Sequence, residues 1–218
     1  MKKILILLAV IVLLFTCALA QDEVLYPVHD TDMETLSQAE DVRISTSASQ
    51  VDDNGCIYLD IYGTDLYEAE ALYQLQIGDK VLAGGEEITV QTLSIDKEEG
   101  IVEINGSEPG YAGVAVFYSF DEEQKYYWHV LEADYITCTF LGQAYLKLAD
   151  EVTITSYQMT EDGELMDEDL VTVLPASQVR DYMQSLEDEG VIFNYSWTYA
   201  DISNDEVVSI TVCWSPAC

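Results

Sequence analysis

The sequence predicts a mainly β fold, a small barrel or a meander or sandwich, with one C-terminal helix packed on the sheet. An α+β arrangement is the alternative. Short segments rich in β-branched and aromatic residues recur along the chain, and turns containing glycine separate many of them. Helical spacing of apolar residues is strong in one stretch only, close to the C-terminus. These two observations together favour sheets over helical bundles.

Strands are predicted along most of the chain after residue 50. Asn54-Gly55 precedes the first of them, and Gly84-Gly85 separates the two strands of a hairpin. A second hairpin is predicted around the acidic segment 121–125. The predicted strands before the helix are residues 57–62, 77–82, 86–93, 101–104, 114–120, 126–131, 135–148, 151–157 and 170–174.

The helix is predicted over residues 175–189. Pro175 suits a first helical turn, where its missing N–H costs nothing, and Gly190 is placed to end the helix. Two further strands are predicted at 191–199 and 207–214. One apolar face follows the spacing i, i+3, i+4, i+7 and consists of Val179, Tyr182, Met183 and Leu186.

The first 20 residues have the pattern of a secretory signal peptide. A basic start is followed by an apolar run over residues 4–15 and by small residues before a cleavage site between Ala20 and Gln21. Cleavage predicts a secreted, extracellular protein. The alternative is a lipid anchor on the cell surface at Cys17, because residues 14–17 resemble a bacterial lipoprotein box. No later segment reaches the ~20 apolar residues of a membrane span, so no transmembrane segment is expected in the mature chain.

The rest of the chain divides by composition. Residues 21–50 are polar and acidic, which predicts a partly disordered leader. Residues 51–218 are predicted to form a single β-rich globular domain. Its C-terminal part, about residues 170–214, has the predicted order strand, helix, strand, strand.

The charge of the chain limits its partners. It carries 41 acidic and 8 basic residues, a formal net charge of −33. Nucleic acid is excluded as a partner, because phosphates bind through lysine and arginine. Anionic lipid is excluded on the same ground. The charge favours a cationic partner, a divalent cation or no specific partner, and the acidic surface keeps an exported protein soluble.

Four cysteines follow the signal peptide, an even number that predicts two disulfides in an exported protein. Three pairings are open. We favour a small terminal loop that joins the last two cysteines, with the first two tying distant segments together. The cysteines are Cys56, Cys138, Cys213 and Cys218.

The acidic turns are weak candidates for a metal site. No EF-hand pattern fits, but an irregular calcium site is conceivable at Asp52, Asp53 and Asn54, or in the loop from Asp162 to Asp169. Calcium is therefore the one cofactor considered. We find no catalytic motif, so we expect no enzyme. An extracellular hydrolase built on unrecognised carboxylates is the alternative, and a calcium-stabilised structural module is a third hypothesis.

The densest aromatic patch is 126–129. In a strand, Tyr126 and Trp128 share one face, while Tyr127 and His129 share the other. One pair is expected in the core, and the pair Tyr126 and Trp128 is the candidate binding surface for a glycan or a partner protein.

Two segments carry a resemblance to known proteins. Residues 77–81 with 84–90 resemble the opening hairpin of many small β-barrels. The closing strand 206–211, which ends near Trp214-Ser215-Pro216, is similar to that of uncharacterised exported proteins of gut-dwelling anaerobic bacteria. The resemblance implies an exported β domain and no particular activity. From the residues, we expect a non-enzymatic extracellular binding or interaction domain.

Overall fold

The computed structural model describes residues 24–120, 123–131, 135–157 and 169–213. The predicted signal peptide, with Cys17, Ala20 and Gln21, lies outside the described residues. The described residues confirm the mainly β prediction with one long helix near the C-terminus. The helices are α1 (Ala69–Gln74) and α2 (Ala176–Asp188), and a short 3-10 helix spans Ala48–Gln50. The strands are β1 (Val24–Leu25), β2 (Val28–His29), β3 (Gln38–Ser45), β4 (Cys56–Glu68), β5 (Lys80–Ala83), β6 (Glu86–Thr89), β7 (Leu93–Asp96), β8 (Ile101–Ile104), β9 (Ala115–Tyr118), β10 (Tyr126–Val130), β11 (Cys138–Ser156), β12 (Leu170–Pro175), β13 (Thr198–Ser203) and β14 (Glu206–Val212).

The chain forms two compact units where the sequence predicts one domain. The described residues between Leu66 and Glu132, with those up to Val28, form one unit, which we call the inserted unit. The other, the barrel unit, contains His29–Asp65 and the described residues from Tyr135 onward. Composition gives no sign of this division, because the boundary at Leu66 falls inside a single strand, β4.

Five strands of the barrel unit close into a ring. β3 pairs with β4 and β13, β13 pairs with β14, β14 pairs with β11, and β11 returns to β4. All pairs are antiparallel except β11 with β14. Numbered along the chain, the order is 1-2-3-5-4, with the third and fifth strands parallel and α2 between the third and fourth. This is the connectivity of the OB-fold barrel.

Strand β11 makes the closure possible because it pairs differently in its two halves. Residues 138–147 pair with β4, and residues 147–156 pair with β14. The register against β4 shifts between Phe140 and Gly142, and Gly142 has a φ of 154°. A shift of this kind bends a strand and increases its twist. The edge strand β12 pairs with the second half of β11.

The barrel core follows from the alternation of apolar residues along the strands. Ile57, Leu59 and Ile61 of β4 are fully buried, and the residues between them face outward. Helix α2 covers the core with the predicted face, of which Tyr182 stays half-buried. The C-terminal part contains β12, α2, β13 and β14 in that order, but residues 191–197 of the predicted strand 191–199 are not strand, and β13 begins at Thr198. The buried residues of the core include Val42, Ile44, Leu148, Val152, Ile154, Val179, Met183, Leu186, Phe193, Ile202, Val207 and Ile210.

The N-terminal segment differs from the predicted disordered leader. β3 pairs with β4 on one side and β13 on the other, and its Val42 and Ile44 are buried. The described acidic residues of this segment occupy turns and the outward face. Two alternating apolar residues are a weak local signal, and the neighbouring strands supply the stability that the segment lacks by itself.

The inserted unit contains a three-stranded sheet and a meander. β1, β5 and β6 form the first, and β5–β6 is the hairpin predicted around Gly84-Gly85. β7, β8, β9 and β10 pair in sequence order, and β10 also pairs with residues 66–68 of β4. The core of this unit consists of Tyr67, Leu72, Val81, Ala83, Ile88, Val90, Val102, Ile104, Ala115, Phe117 and Tyr127.

Candidate functional site

The outer surface of β4 and β11 carries a row of aromatic rings. Along β4 the outward residues are Tyr58, Asp60 and Tyr62, because their neighbours point into the barrel core. The register brings a β11 residue opposite each of them. We call this set the tyrosine face; it consists of Tyr58, Asp60, Tyr62, Phe140, Gln143, Tyr145 and Tyr195.

The rings of the tyrosine face are paired with one another. The ring centroids of Tyr58 and Tyr145 lie 4.4 Å apart, and those of Tyr62 and Tyr195 are stacked at 4.3 Å. Phe140 meets Tyr62 edge-on at 5.6 Å. Tyr58 and Tyr145 are each 48% exposed and Phe140 is 51% exposed. Exposed rings held in fixed pairs form a preorganised apolar surface.

A polar pair lies between the two groups of rings. Gln143 is opposite Asp60 in the register, and its Nε2 donates a hydrogen bond of 2.6 Å to Asp60 Oδ1. A carboxylate can accept several hydrogen bonds, and an amide also has an acceptor oxygen. The pair therefore supplies directional polar groups in the middle of an aromatic surface.

At one end, the tyrosine face is fixed by a loop. The Tyr145 hydroxyl donates to Asp52 Oδ2 at 2.5 Å, while the backbone N–H groups of Asn54 and Cys56 donate to Oδ1 at 2.8 and 2.9 Å. These bonds, led by that from Tyr145, lower the pKa of Asp52 to about 2. The same bond raises the pKa of Tyr145, since it stabilises the protonated phenol.

The predicted calcium ligands of this loop already have protein partners. Asp52 accepts the bonds just described, and Asp53 Oδ1 pairs with Arg180 Nη1 at 2.7 Å. Asn54 donates to Asp52 through both its backbone and its side chain. Within the described ranges, no three His, Cys, Asp or Glu side chains lie together as a metal would require. The other candidate, Asp162, lies outside them.

At the other end, the tyrosine face leads into a cavity of about 190 Å³. Tyr195 belongs to both. Arg43 is the basic residue of the cavity; its Nε donates to Thr64 Oγ1 at 3.2 Å. Its Nη1 faces the carbonyl oxygens of Tyr195 and Ser196, each at 3.4 Å, and its guanidinium carbon lies 5.0 Å from the centre of the Tyr199 ring. The lining includes Arg43, Cys138, Tyr195, Trp197, Tyr199 and Cys213.

The predicted disulfide between Cys56 and Cys138 is not formed. Cys138 is opposite Thr64, whereas Cys56 is opposite Lys147, at the far end of the same ladder. Eight residues of strand separate the two, about 27 Å at ~3.4 Å per residue. A disulfide requires Cα atoms within about 7 Å. The pairing of Cys56 with Cys138 is therefore wrong, and Cys56, Cys138 and Cys213 are free thiols. Cys218 lies outside the described residues.

The free thiols at the cavity are poor nucleophiles. Burial raises the pKa of Cys138 and of Cys213, since removal from water penalises the thiolate. Reactive cysteines show the opposite shift. Thiol catalysis in this cavity is therefore disfavoured.

One buried carboxylate was missed by sequence reasoning. Asp65 accepts hydrogen bonds from the hydroxyls of Thr137 and Thr139, at 2.9 and 2.7 Å. His29 Nδ1 lies 3.4 Å from Asp65 Oδ1 without forming a hydrogen bond. Buried carboxylates that accept from hydroxyl groups tie strands together, and this one joins β11 to the end of the barrel part of β4. The only signal in the sequence would have been an acid among the apolar residues of a strand.

The predicted aromatic surface belongs to the inserted unit. Tyr127 and His129 are buried, while Tyr126 and Trp128 are half-buried, in the alternation that the strand pattern predicts. The Trp128 ring lies 5.4 Å from that of Phe120, which is 59% exposed. The tyrosine face could be found only from the register of β4 against β11, which no local sequence pattern specifies.

Neither of the two described helices is long and apolar enough to cross a membrane. Comparison of the chain with protein-family models, with curated proteins and with solved structures finds no match.

Proposed function

We propose that this protein is an exported, non-enzymatic domain that binds an oligosaccharide on the tyrosine face. The observation that carries the proposal is the arrangement of two ring groups around a polar pair, Tyr58 with Tyr145 on one side and Tyr62 with Tyr195 on the other. A sugar ring presents C–H groups on its faces and hydroxyls around its edge. Aromatic rings pack against the former, and Asp60 with Gln143 bonds to the latter.

The position of the face in the barrel supports this reading. β4 and β11 are the second and third strands of the ring, and OB-fold barrels bind oligonucleotides and oligosaccharides on that surface. Fold alone assigns no function, so the analogy only adds to the local geometry. The net charge of −33 argues against the oligonucleotide, and a neutral sugar carries no such penalty.

Export is part of the proposal and rests on the N-terminal sequence. The basic start, the apolar run and the small residues before Gln21 support release after cleavage. Lipidation at Cys17 would instead hold the same binding domain at the cell surface. The hydrolase hypothesis has weaker support, because Asp65 is enclosed and Asp52 is held in a turn. The calcium hypothesis is weaker for the same reason at Asp52.

The test is an array of neutral oligosaccharides, followed by calorimetric titration of the best ligand against two variants. We expect Tyr62→Ala to weaken binding about tenfold or more, because the loss of one stacked ring costs roughly 1.4 kcal/mol. Tyr111→Ala is the matched control, since Tyr111 is a 63% exposed tyrosine of the inserted unit. It should bind as the unmodified protein does.

Two results would reject the proposal. In the first, the folded protein binds no oligosaccharide on the array and binds cationic polypeptides instead. Charge would then select its partner. The other is an equal loss of affinity in the two variants, since that would show that the tyrosine face has no special role.

A further inference from the structure

We propose that the cavity next to the tyrosine face is a subsite for a carboxylate, in which Arg43 binds an acidic sugar unit at the end of the oligosaccharide. The inference rests on the proposed function and specifies its ligand class, a glycan that contains a uronic acid. It is carried by the position of Arg43 and by the state of its donor groups.

Arg43 is the exception among the basic residues of the barrel unit. Lys147 pairs with Glu206 at 2.6 Å, and Arg180 pairs with Asp53 at 2.7 Å. Among the described residues, no carboxylate oxygen lies within 4.0 Å of the Arg43 guanidinium. A guanidinium without a carboxylate partner among the residues that the structure describes leaves room for an acid brought by a ligand.

The donor groups of Arg43 are only partly used. A guanidinium has five N–H donors in a planar fork. Nε bonds to Thr64 Oγ1 at 3.2 Å, and Nη1 shares two long contacts of 3.4 Å with backbone carbonyls. The described residues provide no acceptor for Nη2. A carboxylate can therefore bind the terminal nitrogens in the bidentate geometry that makes arginine suited to this group.

The surroundings fix the orientation of the fork. The Tyr199 ring lies 5.0 Å from the guanidinium carbon. One contact from Nε and two from Nη1 also hold the group in place. A preorganised donor loses little conformational freedom on binding. Four carboxylates act through space on the two thiols of the cavity, Asp41 and Asp169 on Cys213 and Asp65 and Asp30 on Cys138, so their charges reduce the affinity for any anion. The subsite therefore depends on direct bidentate contact rather than on long-range attraction.

Continuity with the tyrosine face determines the kind of acid. Tyr195 stacks on Tyr62 and also lines the cavity, so a chain lying along the face ends at Arg43. A cavity of about 190 Å³ limits the group that enters it to a small one. An acidic group on a terminal sugar satisfies both conditions.

The experiment compares two ligands on the intact protein by calorimetric titration. One is the best neutral oligosaccharide from the array, and the other is its analogue in which the terminal hexose is oxidised at C6 to the uronic acid. We expect the acidic analogue to bind about tenfold more tightly than the neutral ligand, because its carboxylate gains the bidentate contact with Arg43. The methyl ester of the same uronic acid, which has no charge, should bind like the neutral ligand.

Variants of Arg43 then identify the group responsible. Arg43→Gln should abolish the preference for the acid, so that the acid, its methyl ester and the neutral ligand bind alike. Arg43→Lys keeps the charge without the fork and should retain only part of the preference. If the variants fail to fold, the comparison of acid and methyl ester on the unmodified protein decides the matter.

The outcomes separate the two proposals. Equal affinity for acid, ester and neutral ligand would overturn the carboxylate subsite and leave the oligosaccharide site intact. An equal loss of affinity for acid and neutral ligand in Arg43→Gln would also overturn the subsite, since Arg43 would then be a support for the face. No binding of any of the three ligands would overturn both.

Discussion

Replacement of Leu59 by alanine should destabilise the barrel far more than replacement of its neighbour Tyr58. Leu59 is fully buried in the core, whereas Tyr58 is 48% exposed on the other side of the same strand. Removing three carbon groups from a core costs about 2.4 kcal/mol in transfer at ~0.8 kcal/mol each. The cavity left behind adds to that, so we expect about 3 kcal/mol, within the range of buried leucine truncations.

Tyr58→Ala should cost about 1 kcal/mol. Its loss is mainly the ring contact with Tyr145 at 4.4 Å, and exposed aromatic pairs contribute roughly 0.5–1.5 kcal/mol. At roughly 2–4 °C per kcal/mol for a chain of this size, Leu59→Ala should lower the melting temperature by roughly 6–12 °C and Tyr58→Ala by roughly 2–4 °C. Differential scanning calorimetry on the two variants measures both shifts.

The comparison tests the register on which the site depends. A shift of one residue in the pairing of β4 would exchange the inner and outer faces of the strand. Equal losses in the two variants, or a larger loss in Tyr58→Ala, would refute the assignment of the tyrosine face to the outer surface.

Three further predictions follow from local contacts. Because hydrogen bonds lower the pKa of Asp52 from 3.8 to about 2, its turn should be stable above pH 4 and lose stability as the pH falls toward 2. In Tyr145→Phe, which lacks the hydroxyl that donates to Asp52, an NMR titration should give a higher pKa for the Asp52 carboxyl. Gly63→Ala should destabilise the barrel by about 1–3 kcal/mol in urea denaturation, because the new Cβ would lie 2.7 Å from the His29 Cβ and 2.9 Å from the Leu141 Cδ1; a neutral effect would contradict the close packing there. Iodoacetamide should modify the exposed Cys213 faster than the more deeply buried Cys138 in the native protein, with peptide mass spectrometry as the readout, and equal rates would contradict the described burial.

Much of the fold was predictable because its signals are local. The helix α2 has an apolar face with helical spacing, and Gly84-Gly85 marks a hairpin that the structure contains. The last hairpin is also local, since Asn204 and Asp205 adopt φ values of 54° and 63° in a two-residue turn. These elements are determined within a few residues and need no knowledge of the rest of the chain.

The barrel closure and the site were not predictable, because they depend on contacts between distant segments. β3 is short in apolar residues and becomes a central strand only through its two neighbours. The sequence shows how many cysteines the chain has but not how far apart they lie in the fold. The β4–β11 register shows that Cys56 and Cys138 are far apart. Tyr58 and Tyr145 are 87 positions apart in the sequence and meet through the same register.

The charged residues of the site could not be recognised from the composition of the chain. With 41 acidic residues, no single carboxylate was distinguishable from the others, and so neither Asp60 nor Asp65 stood out. Arg43 was equally inconspicuous within a segment predicted to be a leader. Its importance follows only from the absence of a carboxylate partner among the described residues around it.

Oligosaccharide binding on the tyrosine face is tested most directly by an NMR titration. The protein carries ¹³C-labelled tyrosine rings and is titrated with the best neutral oligosaccharide. We expect the chemical-shift changes to be concentrated on four of the 15 tyrosines, those of the tyrosine face. Changes at Tyr26 and Tyr111 instead, or no changes at a saturating ligand concentration, would contradict it. The four expected residues are Tyr58, Tyr62, Tyr145 and Tyr195.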